Sequence, residues 1–274
     1  MRNFFRGLLF VVVIGVAAPS FAEEVSPSAI RELMDRFGIN AGLVGIGEAF
    51  REGVLQSAPS VLPAKLAEAL AEIGAEELNG QRLRELLEAA FLSGISESEL
   101  DALNTFVTSP LGARITALEV AATSLEAAQQ MLNSQEELLE KVQNDPALAV
   151  WIERLDRSIY ASEITATAIL TLNRAMVAGS LLGVDEEQLL IALNEIESSR
   201  DQVRDDVSKT MVVFFASTYA GLTDDEFEQY VLFLESSPAQ QMYGLYLEQM
   251  VEFYRVGGDR IGQRLSVWKR QRDS

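Results

Sequence analysis

The chemistry open to this chain rests on its serine, lysine and carboxylate side chains, because it contains no His and no Cys. Without His, both the commonest general base and the commonest metal ligand are missing. Ser266 and Lys269 have the spacing of a serine nucleophile and its lysine base, but the further polar motifs that such enzymes need are absent. Glu163 lies inside an otherwise apolar run, where burial can raise the pKa of a carboxyl group. A carboxylate-dependent hydrolase or lyase therefore stays open, with no catalytic residue assigned.

The clustered acidic residues are explained by helix formation. Residues 185–187 and 224–226 are acidic triplets in the first turns of predicted helices, where negative charge stabilises the exposed amide groups. The chain has no calcium-binding loop pattern, and Gly45 and Gly47 lack the third glycine and the preceding strand of a phosphate-binding loop. The sequence thus indicates no metal site and no cofactor.

The first residues have the pattern of a secretory signal peptide. Arg2 and Arg6 precede an apolar run over residues 7–17, and small residues follow it up to Ala22. The apolar run is too short to span a bilayer as a settled helix. We expect a signal peptide over residues 1–22, cleavage near Ala22, and a periplasmic or secreted protein with no transmembrane segment in the mature chain.

The charge of the chain argues against a nucleic acid partner. Its 41 acidic and 22 basic residues give a formal net charge of −19, and such a field repels a phosphate backbone. The acidity indicates either a well-solvated surface or capture of basic partners.

The spacing of apolar residues predicts an all-α fold. Apolar side chains recur three and four positions apart, as in Leu66, Leu70 and Ile73, and no segment shows sustained strand alternation with turns at hairpin spacing. Ala, Leu and Glu are abundant, which favours helices.

Two stretches that begin 127 positions apart share one motif, in which a glycine, an N-capping hydroxyl residue, a glutamate, an aromatic residue and a Ser-Pro step follow in order. We expect the glycine to end one helix in a left-handed conformation, and the hydroxyl residue and glutamate to form a capping box at the start of the next. The aromatic residue lies on the apolar face, and the Ser-Pro step begins a further helix. The motif residues are Gly94, Ser96, Glu99, Phe106, Ser109 and Pro110 in the first stretch, and Gly221, Thr223, Glu226, Phe233, Ser237 and Pro238 in the second.

The recurrence predicts two tandem helical-bundle repeats that pack together. The first unit covers residues 23–144 and the second covers residues 145–274, with helices expected to begin at Ser26-Pro27 and Asp145-Pro146. Residues 110–144 are expected to form a helix that joins the two units. Two bundles side by side and one merged bundle both remain open.

The end of the chain forms a predicted basic helix, since residues 255–272 hold six basic residues and one acidic residue. It either docks onto an acidic partner or lipid headgroups, or packs against the acidic body of the molecule itself.

The segment GISESELDALNTFVTSPLG resembles a bacterial family, the domain of unknown function two thousand and fifty-nine. The second copy resembles it in its first half and departs from it at an extra serine and at Ala239, where the glycine is missing. The family consists of short exported helical proteins without an assigned activity. The resemblance therefore implies a location and a fold but carries over no catalytic residue.

Three functions follow in order of preference. The first is a non-enzymatic binding or scaffold protein of the cell envelope that acts on another envelope protein or on itself. The alternative is a carboxylate-dependent hydrolase or lyase of envelope polymers. The third is a carrier of an apolar ligand, with its pocket at the seam between the two units.

Overall fold

The computed structural model describes residues 25–57, 62–180 and 186–273, and over these residues the chain is all-α, as predicted. The predicted signal peptide lies outside the described residues. No described helix is both long and apolar enough to cross a bilayer. The helices are α1 (Pro27–Arg36), α2 (Ile39–Leu43), α3 (Ile46–Ser57), α4 (Ala64–Glu77), α5 (Gly80–Gly94), α6 (Glu97–Val107), α7 (Pro110–Ala122), α8 (Leu125–Asn133), α9 (Gln135–Asn144), α10 (Pro146–Ile159), α11 (Ala161–Ser180), α12 (Glu186–Ser198), α13 (Arg200–Thr218), α14 (Asp224–Leu234) and α15 (Ser237–Asp273).

Helices α1 and α10 begin and end in the same way. The side chains of Ser26 and Asp145 cap them, and a proline occupies the first helical turn of each, as predicted. Each is followed by a residue in the left-handed conformation, Gly38 (φ 67°) before α2 and Tyr160 (φ 57°) before α11. A glycine adopts this conformation without strain, whereas Tyr160 has to be held in it by its surroundings.

Both predicted capping boxes are present. The hydroxyl group of Ser96 accepts a hydrogen bond from the Glu99 backbone N–H, and the Glu99 carboxylate accepts one from the Ser96 backbone N–H at 2.8 Å. Thr223 and Glu226 form the same pair of bonds at the start of α14, again with 2.8 Å between the backbone nitrogen and the carboxylate. Both helices therefore begin where the sequence indicated.

The predicted left-handed glycine caps are wrong, because neither Gly94 nor Gly221 has a positive φ. Gly94 is the last residue of α5, and a Cβ atom there would overlap the side chain of Leu245 on α15. Its carbonyl oxygen accepts a hydrogen bond from the Gln241 side chain at 2.9 Å. A close approach between helices, and not a turn conformation, explains a glycine at this position.

The second Ser-Pro step differs from its prediction by one residue. Ser109 caps α7 and Pro110 is its first residue, as expected. Helix α15 instead begins at Ser237, so Ser237 and Pro238 both lie inside its first turn. Ser236 takes the position of Ser109, because its carbonyl oxygen accepts the first helical bond, from the Gln240 N–H. The extra serine, Ser237, therefore lies within α15, and the turn between α14 and α15 is preserved.

Residues 110–144 form three helices instead of the single joining helix that we expected. The chain turns at Ser124, whose hydroxyl group accepts a hydrogen bond from the Ala127 N–H, and again at Ser134 between α8 and α9. Serine competes for backbone hydrogen bonds and favours helix ends, which accounts for both breaks.

The predicted basic C-terminal helix is the second half of the 37-residue helix α15. Arg264 pairs with Glu77 at 2.9 Å and with Glu76 at 2.6 Å, both at the end of α4. Gly257, seven positions before Arg264, lets α15 approach Leu78, since a Cβ atom there would overlap that side chain. The basic segment thus packs on the acidic body of the molecule, the second of the two arrangements considered above.

Two clusters of buried side chains make up the described core, and each cluster includes a helix from the other half of the chain. The first cluster lies among α1 to α6 and also contains α15 residues such as Met242 and Phe253. The second lies among α9, α10, α13 and α14 and also contains Ile115 of α7. Helix α7 of the first half therefore contributes to the second cluster, and helix α15 of the second half contributes to the first cluster. Within the described residues, the two halves thus form one merged bundle.

Matched positions of the two motifs contact each other where the halves meet. The rings of Phe106 and Phe233 stack with their centroids 3.5 Å apart and their planes 4° apart. Arg114 donates a hydrogen bond to the carbonyl oxygen of Gly221, and Gln241, 127 positions after Arg114, donates one to the carbonyl oxygen of Gly94. These contacts join the two motif segments to each other in the described fold.

We expect substitution of either capping hydroxyl residue to destabilise the fold. Ser96→Ala and Thr223→Ala each leave an N-terminal amide group without its side-chain acceptor and should lower the free energy of unfolding by about 1 kcal/mol. Urea unfolding of the two variants checks this value. Thr105→Ala, at an exposed position on the same helix and away from its cap, is the control. Equal stability of Ser96→Ala and the control would contradict the structural role assigned to the motif.

Candidate functional site

An apolar cavity of about 610 Å³ lies between the two halves of the chain. Residues 39–119 line one side of it and residues 159–254 line the other. Its size falls in the range of small-molecule pockets. The lining residues used below are Phe50, Phe91, Glu119, Ile164, Thr165, Ala168, Ile169, Leu172, Phe214, Phe215, Tyr219, Tyr243, Tyr246 and Tyr254.

Helix α11 gives the cavity one continuous wall. Ile164, Ala168 and Leu172 are spaced four positions apart, and Thr165 and Ile169 lie beside them, so all five fall on one face of the helix. Small Ala168 leaves open space in the middle of this face.

Helix α15 forms a second wall, which is rich in aromatic side chains. Tyr243, Tyr246 and Tyr254 lie on the face turned toward the cavity, together with Met242 and Met250. Methionine side chains adapt to ligands of irregular shape, and aromatic side chains offer a large apolar surface.

Glu119 of α7 is the one charged residue among the described residues that line the cavity. It lies four positions after Ile115, which is 2% exposed, so both side chains point inward. The Tyr219 hydroxyl group donates to Glu119 Oε1 at 2.7 Å, and the Tyr230 hydroxyl group donates to the same atom at 2.6 Å. The carboxylate is therefore fixed by Tyr219, the residue after α13, and by Tyr230 of α14.

Burial raises the pKa of the Glu119 carboxyl group above its ordinary value of 4.5, and the hydrogen bonds from Tyr230 and Tyr219 oppose that rise. Within the described part of the chain, no Lys or Arg side chain pairs with Glu119. An isolated carboxylate in apolar surroundings is costly to ionise.

The tyrosines around Glu119 remain neutral hydrogen-bond donors at physiological pH. Burial, followed by the nearby Glu119 charge, raises the pKa of Tyr219 and Tyr230 well above the ordinary value of 10.0. Tyr243, also hydrogen-bonded to Tyr230, has its pKa raised by burial first and by Glu119 second. Of these groups, Glu119, Tyr219 and Tyr243 line the cavity, and Tyr230 lies outside its described lining.

The raised pKa of Glu119 predicts how stability depends on pH. The folded chain binds this proton more tightly than the unfolded chain, so its contribution to stability is lost as pH rises from about 4.5 through the folded pKa. Tyr219, Tyr230 and Tyr243, the titratable groups that face it, stay protonated in this interval. Over the interval Glu119→Gln should become more stable relative to the parent chain, by at most about 1.4 kcal/mol per pH unit.

Urea unfolding between pH 4 and pH 8 measures this difference. Glu68→Gln removes the same charge from an exposed position on α4 outside the described cavity lining and is the control for the loss of one negative charge. A constant difference between Glu119→Gln and the parent chain across this interval would contradict the raised pKa.

The residues singled out from the sequence lie elsewhere. The described lining of the cavity includes none of the residues of the two capped segments, which form the corners and the contact between halves. Glu163 is exposed in the first turn of α11 and is not part of the lining. Ser266 is buried, and its hydroxyl group donates to the Gln263 carbonyl oxygen at 2.7 Å. Asp185 lies outside the described residues, and Asp224 and Asp225 are exposed.

The sequence analysis missed Glu119, although the sequence contained a signal for it. The segment ITALEVAA, residues 115–122, places a single acid in an otherwise apolar helix. The same criterion selected Glu163, and periodicity alone does not distinguish a buried acid from one at the exposed end of a helix.

Comparisons of the chain with known protein families, curated proteins and solved structures found no match. The resemblance of the capped segments to the exported family of unknown function therefore stays a prediction.

Proposed function

We propose that this chain is an exported, non-enzymatic binding protein that holds one apolar small molecule in the cavity between its halves. The observation that carries the proposal is the cavity itself, about 610 Å³ in volume and lined by aromatic, aliphatic and methionine side chains. Of the three functions derived from the sequence, this is the third, with its pocket at the seam.

The size and surroundings of the cavity support an occupant. The space opens to solvent, so its apolar walls face water and lack the dispersion contacts that they would have in a close-packed interior. Helices α7, α11, α13 and α15 hold its walls in place through the two buried clusters. An apolar molecule that fills the space would restore those contacts and remove apolar surface from water.

The proposal includes a doubled scaffold of two tandem repeat units. Its support is the pair of equivalent capping boxes, the stacking of Phe106 on Phe233, and the matched hydrogen bonds of Arg114 and Gln241. Two units of unequal helix lengths leave a gap where they meet, and the cavity lies in that position. Export rests on the pattern of residues 1–22.

Binding fits the site better than the hydrolase or lyase alternative. Glu119 has the raised pKa of a general acid, but the rest of the described cavity lining is almost entirely apolar and offers few polar groups to a hydrated envelope polymer. Glu163, the acid named for that alternative, is exposed on α11.

Titration with the neutral apolar fluorophore N-phenyl-1-naphthylamine tests the proposal. We expect saturable enhancement of its fluorescence with about one molecule bound per chain, and competition between the fluorophore and other apolar molecules. Enhancement that rises without saturation, or that appears only when the chain is unfolded by urea, would contradict a defined site.

A further inference from the structure

One carboxyl group in the described cavity lining has no cationic partner. Glu119 is held by hydroxyl groups of Tyr219 and Tyr230, and no basic side chain lines the described cavity. A buried carboxylate is ordinarily paired with a cation because its desolvation is otherwise unopposed. The described residues supply no cationic partner, so the ligand is the source that we consider.

The walls near Glu119 suit a cation as well. Tyr219, Tyr243 and Phe215 line the same cavity, and Tyr246 and Phe214 extend this aromatic lining. The faces of aromatic rings attract ammonium groups, most strongly where water is excluded, and such rings recognise quaternary ammonium ligands. The cavity lining therefore combines one carboxyl group, several aromatic side chains and an otherwise apolar surface.

We propose that the molecule bound here is a cationic amphiphile, an apolar chain or ring system that carries one amine or quaternary ammonium group placed against Glu119. This inference rests on the proposed function and specifies its ligand class. The ammonium group pairs with the carboxylate, the tyrosine hydroxyl groups keep the carboxylate oriented, and the apolar part fills the space along α11 and α15.

Binding of three ten-carbon probes tests this assignment by calorimetry, below their micelle concentrations and in 150 mM salt. They are decyltrimethylammonium, 1-decanol and decanoate, with a positive, a neutral and a negative head group. We expect the cation to bind about tenfold or more tightly than the alcohol, and decanoate to bind most weakly. Glu119→Gln should abolish the preference for the cation while the alcohol still binds.

A charge control excludes general attraction to the acidic surface. Glu126→Gln removes one exposed carboxylate from α8 and should keep the full preference for the cation. The ligand class is overturned if the alcohol binds as tightly as the cation, or if Glu119→Gln keeps the preference. In both cases, binding of the alcohol would still support the proposed apolar site. Failure of all three probes to bind overturns the ligand class and the apolar site together.

Discussion

Replacing Ala168 with phenylalanine should weaken binding of N-phenyl-1-naphthylamine by about tenfold or more. Ala168 lies in the middle of the α11 face that lines the cavity, and a phenyl ring there would occupy the space proposed for the ligand. The new ring fills open volume instead of entering a packed region, so the free energy of unfolding should stay the same or rise by about 0.5–2 kcal/mol.

Ala147→Phe is the matched control, because Ala147 is exposed on α10 and outside the described cavity lining. Its fluorophore affinity should equal that of the parent chain. Fluorescence titration and urea unfolding of both variants separate a blocked cavity from a damaged fold. Unchanged affinity in Ala168→Phe would place the fluorophore somewhere other than the cavity.

The largest change in stability is expected from Leu234, a fully buried residue at the end of α14. Leu234→Ala removes apolar contacts from the second buried cluster and leaves a hole, so the free energy of unfolding should fall by about 2–5 kcal/mol. Leu232→Ala, two residues earlier on the same helix, changes a side chain that is 53% exposed and should cost about 0.5 kcal/mol or less.

Equilibrium unfolding of these two variants, followed by far-ultraviolet circular dichroism, compares a buried and an exposed leucine of one helix. Losses of equal size would contradict the inward orientation of Leu234. A second, separate transition in Leu234→Ala would contradict the merged bundle, because residues of both halves line the seam near this cluster.

The sequence predicts the local structure well because caps and apolar spacing are local properties. Ser96 with Glu99 and Thr223 with Glu226 form the expected capping boxes, and Ser109 caps the helix that begins at Pro110, also as expected. These features depend on residues within one helical turn of each other.

Long-range packing explains where the predictions fail. The sequence predicts a left-handed turn at Gly94. The structure instead requires a glycine there because the side chain of Leu245, 151 positions away, packs closely against it. Residues 110–144 show no Gly or Pro break after Gly112, and the chain still turns at Ser124 and Ser134. Neither the approach nor the turns can be derived from spacing within a helix.

The candidate site was the least predictable part of the molecule. Its lining comes from residues 39–119 and 159–254. These two parts of the chain meet because α7 packs into the second buried cluster and α15 packs into the first. Glu119 and Tyr230 are 111 positions apart, so the bond between them depends on that packing. The third of the three functions derived from the sequence already placed a pocket at the seam, but the sequence did not indicate which acid would face it.

A crystal structure of the chain with N-phenyl-1-naphthylamine bound tests the central claim most directly. We predict that one molecule of the fluorophore lies between α7, α11, α13 and α15, in contact with Ala168 and with the aromatic side chains of α15. A fluorophore bound only on the outer surface, with the space between the halves closed by side chains, would contradict the claim.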